Sequence, residues 1–268
     1  MAAKSQKTRR QELAAIAPPV WGAKGKGVVT AAPLVRPDFS PACLDFERGI
    51  RVGNLEPHQR ITRILKAALE ARHATDFTTD RWGRGVYWYW ICWVPLENRK
   101  AKPLSSKYNF GSAKFFIALD TGDQTFEAGL QIERAPLRAS GDAVKALKDW
   151  DFFNVEPGLR KGKPLAREIE RLVKDEGFTV RAGDFSEMTV FTAANFKGVA
   201  PLARACREIP PGEWGGFQLC YVLSKADLQD QSGDEIVATI LAIFDEVAVA
   251  MNAVMTVACL HGREPRKE

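Results

Sequence analysis

Five polar side chains on one face of a predicted β-hairpin are the residues of this sequence best placed to do chemistry. The stretch AKFFIALD, TGDQ, TFEAGLQIER (113–134) alternates apolar and polar residues on both arms, the period of a half-buried strand. With TGDQ as the loop, Asp120 faces Thr125, Ala118 faces Glu127, Phe116 faces Gly129 and Lys114 faces Gln131. That single register puts Phe115, Ile117, Leu119, Phe126, Ala128, Leu130 and Ile132 on one face. Lys114, Asp120, Glu127, Gln131 and Glu133 collect on the other. Carboxylate and amide oxygens on adjacent strands are the ligand type of Mg²⁺, which polarises phosphoryl groups and activates water. Asp120, Glu127, Gln131 and Glu133 are therefore the candidate catalytic residues. Asp120 and Glu127 are the first candidates for metal ligands, and Mg²⁺ is the one cofactor this reading admits. The plain alternative is a solvated sheet face, where polar residues belong.

The order helix, strand, acidic hairpin, helix resembles the core of restriction-endonuclease-type folds, which place an Asp on one arm and Glu/Gln-x-Lys on the next. Gln131-Ile132-Glu133 departs from that pattern, with an acid at the lysine position. The resemblance thus implies a Mg-dependent, nuclease-like enzyme without its water-activating lysine. No other reaction is legible. There is no G-x-S-x-G or H-E-x-x-H, and GAKGKG (22–27) is not a phosphate loop because no Ser or Thr follows Lys26. Cys259 and His261, two residues apart, would point to different sides of a helix. His58 and His73 read as helix-surface residues.

Binding residues are easier to find. Arg99, Lys100, Lys102 and Lys107 form a basic loop beside Tyr108 and Phe110, and LRKGKPLAR (159–167) forms another. Such loops attract phosphates, and interleaved aromatics stack on bases. RWGRG (81–85) and EWGG (213–216) each set a tryptophan, Trp82 or Trp214, beside glycines just before a strand, where a ligand can approach closely. The segment RWGRGVYWYWICWVPLENR (81–99) holds four of the seven tryptophans. Strict alternation places Val86, Trp88, Trp90, Cys92 and Val94 on one side and Tyr87, Tyr89, Ile91 and Trp93 on the other. Neither side carries a charge, the pattern of a strand inside a sheet covered on both faces. Where the second side is left uncovered, Tyr87, Tyr89 and Trp93 become a ligand surface.

The elements that must position these residues form an α+β fold: a mostly antiparallel sheet of five or six strands packed with helices. Helices are expected at Glu56–His73 with Asn54 as N-cap, Asp142–Trp150, Pro164–Glu176 and 197–206. Strands are expected at Val86–Val94, on the two hairpin arms, and at 178–182, 187–192 and 216–224. Ser232-Gly233-Asp234-Glu235 is a capping box that opens a long apolar helix reaching about Leu260. A helix apolar on nearly every side is buried in its fold or packs on a second copy, so self-association through 234–260 is a third reading. Asp245 and Glu246 in its middle argue against a membrane span.

Lys4, Lys7, Arg9, Arg10, Lys24, Lys26 and Arg36 against Glu12 and Asp38 account for the whole net charge of +5, leaving the rest neutral. Residues 1–40 read as a basic, Pro/Gly/Ala-rich tail or wrapping segment, and 41–268 as a single domain. Five scattered cysteines without a CxxC pair fit reduced, buried thiols and a cytoplasmic setting. The leading functional expectation is a cytoplasmic binding or interaction domain, associated with nucleic acid through its basic loops and tail. The nuclease-like enzyme and the homo-oligomeric structural protein are the alternatives.

Overall fold

The computed structural model describes residues 36–102, 111–136 and 150–261. Among them, nine strands form one antiparallel sheet, more than the five or six expected. In chain order they are β1 (Leu44–Asp45), β2 (Gly49–Arg51), β3 (Phe77–Arg84), β4 (Tyr87–Pro95), β5 (Lys114–Asp120), β6 (Thr125–Arg134), β7 (Thr179–Asp184), β8 (Thr189–Phe191) and β9 (Gly215–Ser224). Spatially they run β1-β2-β4-β5-β6-β9-β7-β8, with β3 on the free side of β4. The β5–β6 register is the one the alternation dictates, from Lys114 opposite Gln131 to Asp120 opposite Thr125. The three unexpected strands, β1 to β3, are short or exposed. β3 buries only its first residue, so it carries no apolar alternation to read.

Seven helices accompany the sheet among the described residues: α1 (Ile61–His73), α2 (Leu96–Lys100), α3 (Phe152–Gly158), α4 (Pro164–Lys174), α5 (Val199–Arg207), α6 (Lys225–Leu228) and α7 (Gly233–Val254). α7 is the core helix, packed on β6 and flanked by α1, α3 and α4. Phe244 from α7 stacks on Phe115 of β5 at 4.7 Å between centroids, and Trp93 of β4 donates its indole N–H to the Thr62 carbonyl of α1. The capping box forms as expected: Ser232 Oγ accepts from the Glu235 N–H, and the Glu235 carboxylate accepts from the Ser232 N–H at 2.7 Å.

α7 is shorter than the sequence suggested. Met255 turns extended, and the Asn252 amide bonds both ways to the Leu260 backbone, closing a loop rather than a further helical turn. By length and composition α7 could cross a membrane, yet most of its surface is buried within its own chain. Most of its apolar surface is therefore covered by its own sheet and helices.

Two other expectations change. Asn54 does not cap α1: it sits in the left-handed region at φ 54°, and a separate 3₁₀ turn, Pro57–Gln59, precedes the helix. His73 is not on the helix surface but buried, with its ring beside Phe77 and Phe115. The helix expected at Asp142–Trp150 lies outside the described residues except for its last position, as does the tail apart from its last five residues.

The described helices occupy one face of the sheet. On the other, Gly129 lies in the row Cys92, Phe116, Gly129, Cys220. A Cβ at Gly129 would sit 2.1 Å from the Leu219 carbonyl oxygen, which is backbone and cannot swing away. Gly129→Ala should therefore cost about 1–3 kcal/mol by forcing β6 and β9 apart, read as a lowered urea midpoint with an unchanged slope.

Strict alternation fails in β4, and the cause is a β-bulge. Trp82 pairs with Trp90, but the next residue, Gly83, pairs with Trp88, leaving Tyr89 unmatched. Beyond the extra residue the two faces exchange. Trp88 joins Ile91 and Trp93 on the helix side, opposite Ile50 and packed on the main core. Tyr87 and Tyr89 go to the helix-free side with Trp82 and Trp90. Ring contacts agree: Trp82 meets Tyr89 at 5.6 Å, while Arg81 lies over Trp88.

Candidate functional site

The acidic face of the β5–β6 hairpin exists, but its members are committed to separate partners. Asp120 Oδ1 accepts from the N–H groups of Gly122 and Asp123 and so closes the TGDQ turn. Glu127 takes a two-bonded guanidinium from Arg181, at 2.7 and 2.6 Å, and this bond holds the Arg181 pKa above its usual value. Glu133 pairs with the Lys114 amine and accepts from the Gln131 amide. Gln131 Oε1 in turn accepts from the Trp90 indole at 3.0 Å and the Gln218 amide at 2.9 Å. Glu127 and Glu133 lie six residues apart along one strand, roughly 20 Å, too far to share an ion. Among the described residues no group of three or more His, Cys, Asp or Glu could hold a metal.

What these long side chains do is roof a small apolar cluster of Cys92, Val94, Phe116 and Cys220. The bond from Trp90 on β4 to Gln131 on β6 crosses β5 at Phe116, and the Glu127–Arg181 pair spans Cys220. Burial drives the Cys92 thiol well above its usual pKa and the Cys220 thiol up to about 12. Neither is a thiolate nucleophile at neutral pH.

Of the first basic loop, one member is withdrawn from solvent. Lys102 is fully buried, its ammonium 2.9 Å from Asp151 Oδ1 and bonded to the Asn98 carbonyl and side-chain oxygens. It cannot meet a partner. Arg99 is half-buried, and exposed Lys100 lines a cleft of about 360 Å³ together with Glu70, Asp76 and Glu97. Lys107 lies outside the described residues. The second loop does present Arg160, Lys161, Lys163 and Arg167 to solvent. Trp214 is partly exposed at the start of β9, beside the β7–β8 turn and well across the sheet from Trp82. Trp93 is fully buried against α1 and α7, so it leaves the aromatic surface proposed for it.

What remains is the outer end of the β3–β4 hairpin. Trp82 is 68% exposed, the most of any large apolar side chain among the described residues. Tyr89 supports its ring at an interplanar angle of 48°. In the neighbouring row, Tyr87 is flanked by Arg51 on β2 and Arg84 on β3, each directly opposite it. Arg48 lies over the Tyr87 ring at 4.6 Å. The helix-free face thus ends in two rows, one of Trp82, Tyr89 and Trp90, the other of Arg51, Tyr87 and Arg84. Asp45 already bonds Arg48 at 2.6 Å, while Arg51 and Arg84 form no ion pair among the described residues. Tyr87, Tyr89 and Trp82 were legible as candidates. Arg48, Arg51 and Arg84 were not, because the strands that align them were not.

Comparison with protein-family models, with curated proteins and with solved structures finds no match to any of them.

Proposed function

We propose that this chain is a non-catalytic binding domain for nucleic acid and that it docks its partner on the outer end of the β3–β4 hairpin. The observation that carries this reading is Trp82, an exposed indole against the Tyr89 ring, with Arg51 and Arg84 in the next row. Leaving a tryptophan so exposed forgoes roughly 1.5–3 kcal/mol of burial, which a monomer gains nothing by. Aromatic faces with adjacent guanidinium groups are the means by which proteins hold bases and phosphates without reading sequence. The acids that an enzyme would need are held in ion pairs and in a turn. Strand addition to β3 is a poorer use of this edge, since Asp80, Arg81 and Arg84 place charges along it.

Fluorescence anisotropy with generic labelled DNA and RNA tests the reading. Wild type should bind, and Trp82→Ala should weaken binding about tenfold or more, since each stacked base is worth about 1–3 kcal/mol. The melting temperature should stay unchanged because the ring is exposed. No binding of either polymer at low salt sinks the proposal. The same Trp, Tyr and Arg set is the composition of protein hot spots, and capture of a protein but no polymer is the outcome that would redirect it.

A further inference from the structure

The hairpin is built for an unpaired strand, and we infer that its ligand is single-stranded nucleic acid, bound with a base stacked on Trp82 and phosphates on Arg51 and Arg84. This rests on the nucleic-acid reading above and goes beyond it by choosing among polymers.

The first reason is width. A two-stranded β-ribbon can enter the major groove of a duplex, about 12 Å across. This hairpin is not a free ribbon. Leu44 pairs with Ile50, Ile50 with Trp88 and Trp88 with Gly83, so four strands stand abreast in one row near its end. Three spacings of about 4.8 Å make roughly 14 Å between outer backbones, before any side chain is added. The sheet cannot fit the groove and must meet its ligand face-on.

The second reason is chemistry. Inside a duplex the base faces are hidden by stacking and only the edges are offered, to be read by hydrogen-bonding side chains. The most exposed side chain here is an indole, which offers a π-face and a single N–H. A π-face is matched by an unstacked base. The Tyr89 ring packs against one side of the indole at 5.6 Å between centroids and leaves the rest open to a base.

The third reason is charge, which limits what the site can do. Arg51 and Arg84 have no carboxylate partner among the described residues, and the hairpins that carry them also carry the acids Glu47, between β1 and β2, and Asp80, on β3. A strongly basic duplex-binding surface this is not. With two or three phosphates neutralised, the slope of log K against log salt on a single strand should be about −1.5 to −2.

The experiment uses the full chain with a fluorescein-labelled 15-nucleotide oligo(dT), its RNA counterpart oligo(rU), and a 15-base-pair duplex, at low and physiological salt. Single strands should bind at least tenfold more tightly than duplex and quench tryptophan emission. Trp82→Phe should keep affinity within a few-fold but lose most of the quench, and Trp82→Ala should lose both. The double variant Arg51→Ala/Arg84→Ala should flatten the salt slope by about 1 to 1.5 while the quench at saturation persists. Equal or tighter duplex binding overturns the inference and leaves the nucleic-acid reading standing. A Trp82→Ala protein that binds single strands like wild type overturns the inference and also removes this hairpin as the docking site. Failure of the wild type to bind any of the three polymers overturns both.

Discussion

Asp151→Ala should destabilise the fold by about 3–5 kcal/mol, several times the loss that breaking an exposed ion pair brings. Asp151 is fully buried just before α3 and receives five bonds from three other segments. Its Oδ2 accepts from the Asn98 amide at 2.8 Å and the Ala113 N–H at 2.7 Å. Its Oδ1 accepts from the Thr256 N–H and hydroxyl and lies 2.9 Å from the Lys102 ammonium. One carboxylate thereby ties α2, the start of β5 and the segment after α7 together. Truncation strands a buried ammonium and several buried donors at once, and an unmet buried charge is far costlier than the net worth of its pair. At this chain length the melting temperature should fall by roughly 10 °C. Lys102→Met alone should also destabilise, by leaving the acid unpaired. The double variant Asp151→Ala/Lys102→Met should recover part of the loss, because the stranded charge is then gone. Urea unfolding of the four proteins measures the coupling. Strictly additive losses would show that the pair does not act as a unit.

Lys102 also shows where sequence reading stops. Its neighbours Arg99 and Lys100 make it look like part of a basic surface loop, and nothing local reveals that its counter-charge is the distant Asp151. The β5–β6 hairpin is the opposite case. Both arms alternate, one loop length satisfies them together, and the register is legible residue by residue. The α7 start was legible for a similar reason, since Ser232 and Glu235 form a local motif whose hydrogen bonds need no distant partner. β3 was not legible because an edge strand exposed on both faces has no burial to record in its sequence. The bulge at Tyr89 was hidden with it, as a bulge is a property of a pair of strands. That one residue moved Trp88 to the core and Tyr87 to the surface, and with it changed which aromatics share a face. The acidic cluster teaches something different. The face was right, but its acids are spread along it: Glu127 and Glu133 are six residues apart on one strand, Glu127 is bound to Arg181, and Asp120 is bound into the turn.

Stability should fall as the solution is acidified from pH 6.5 to about 4, and His73 should cause about 3 kcal/mol of the loss. Its ring is buried at the end of α1, 5.9 Å from Phe115 and 6.0 Å from Phe77 between centroids, and neither ring nitrogen completes a hydrogen bond. Burial in this apolar setting pushes its pKa down to about 4, with the neighbouring Arg72 and His261 adding to the shift and the backbone of His261 offsetting a little of it. In the unfolded chain the same group titrates near 6.5. Above that value neither state carries the proton and His73 contributes no pH dependence. Between 6.5 and about 4 the unfolded chain binds a proton that the folded protein refuses, so the balance moves toward unfolding as pH falls. Below about 4 both states are protonated and the effect levels off. A depression of about 2.5 units corresponds to about 3 kcal/mol. The carboxylates whose pKa values are lowered by their bonds, Asp45, Asp184 and Glu235, also release stability on acidification, but they do so at lower pH. His73→Phe separates the two contributions, since it keeps a ring against Phe115 and removes the titrating group. Plotted as the difference in unfolding free energy between the two proteins, the curve should be flat above pH 7 and should change by about 3 kcal/mol between pH 6.5 and 4. A difference curve flat over that whole range would mean that the histidine protonates in place, with a partner that satisfies its charge.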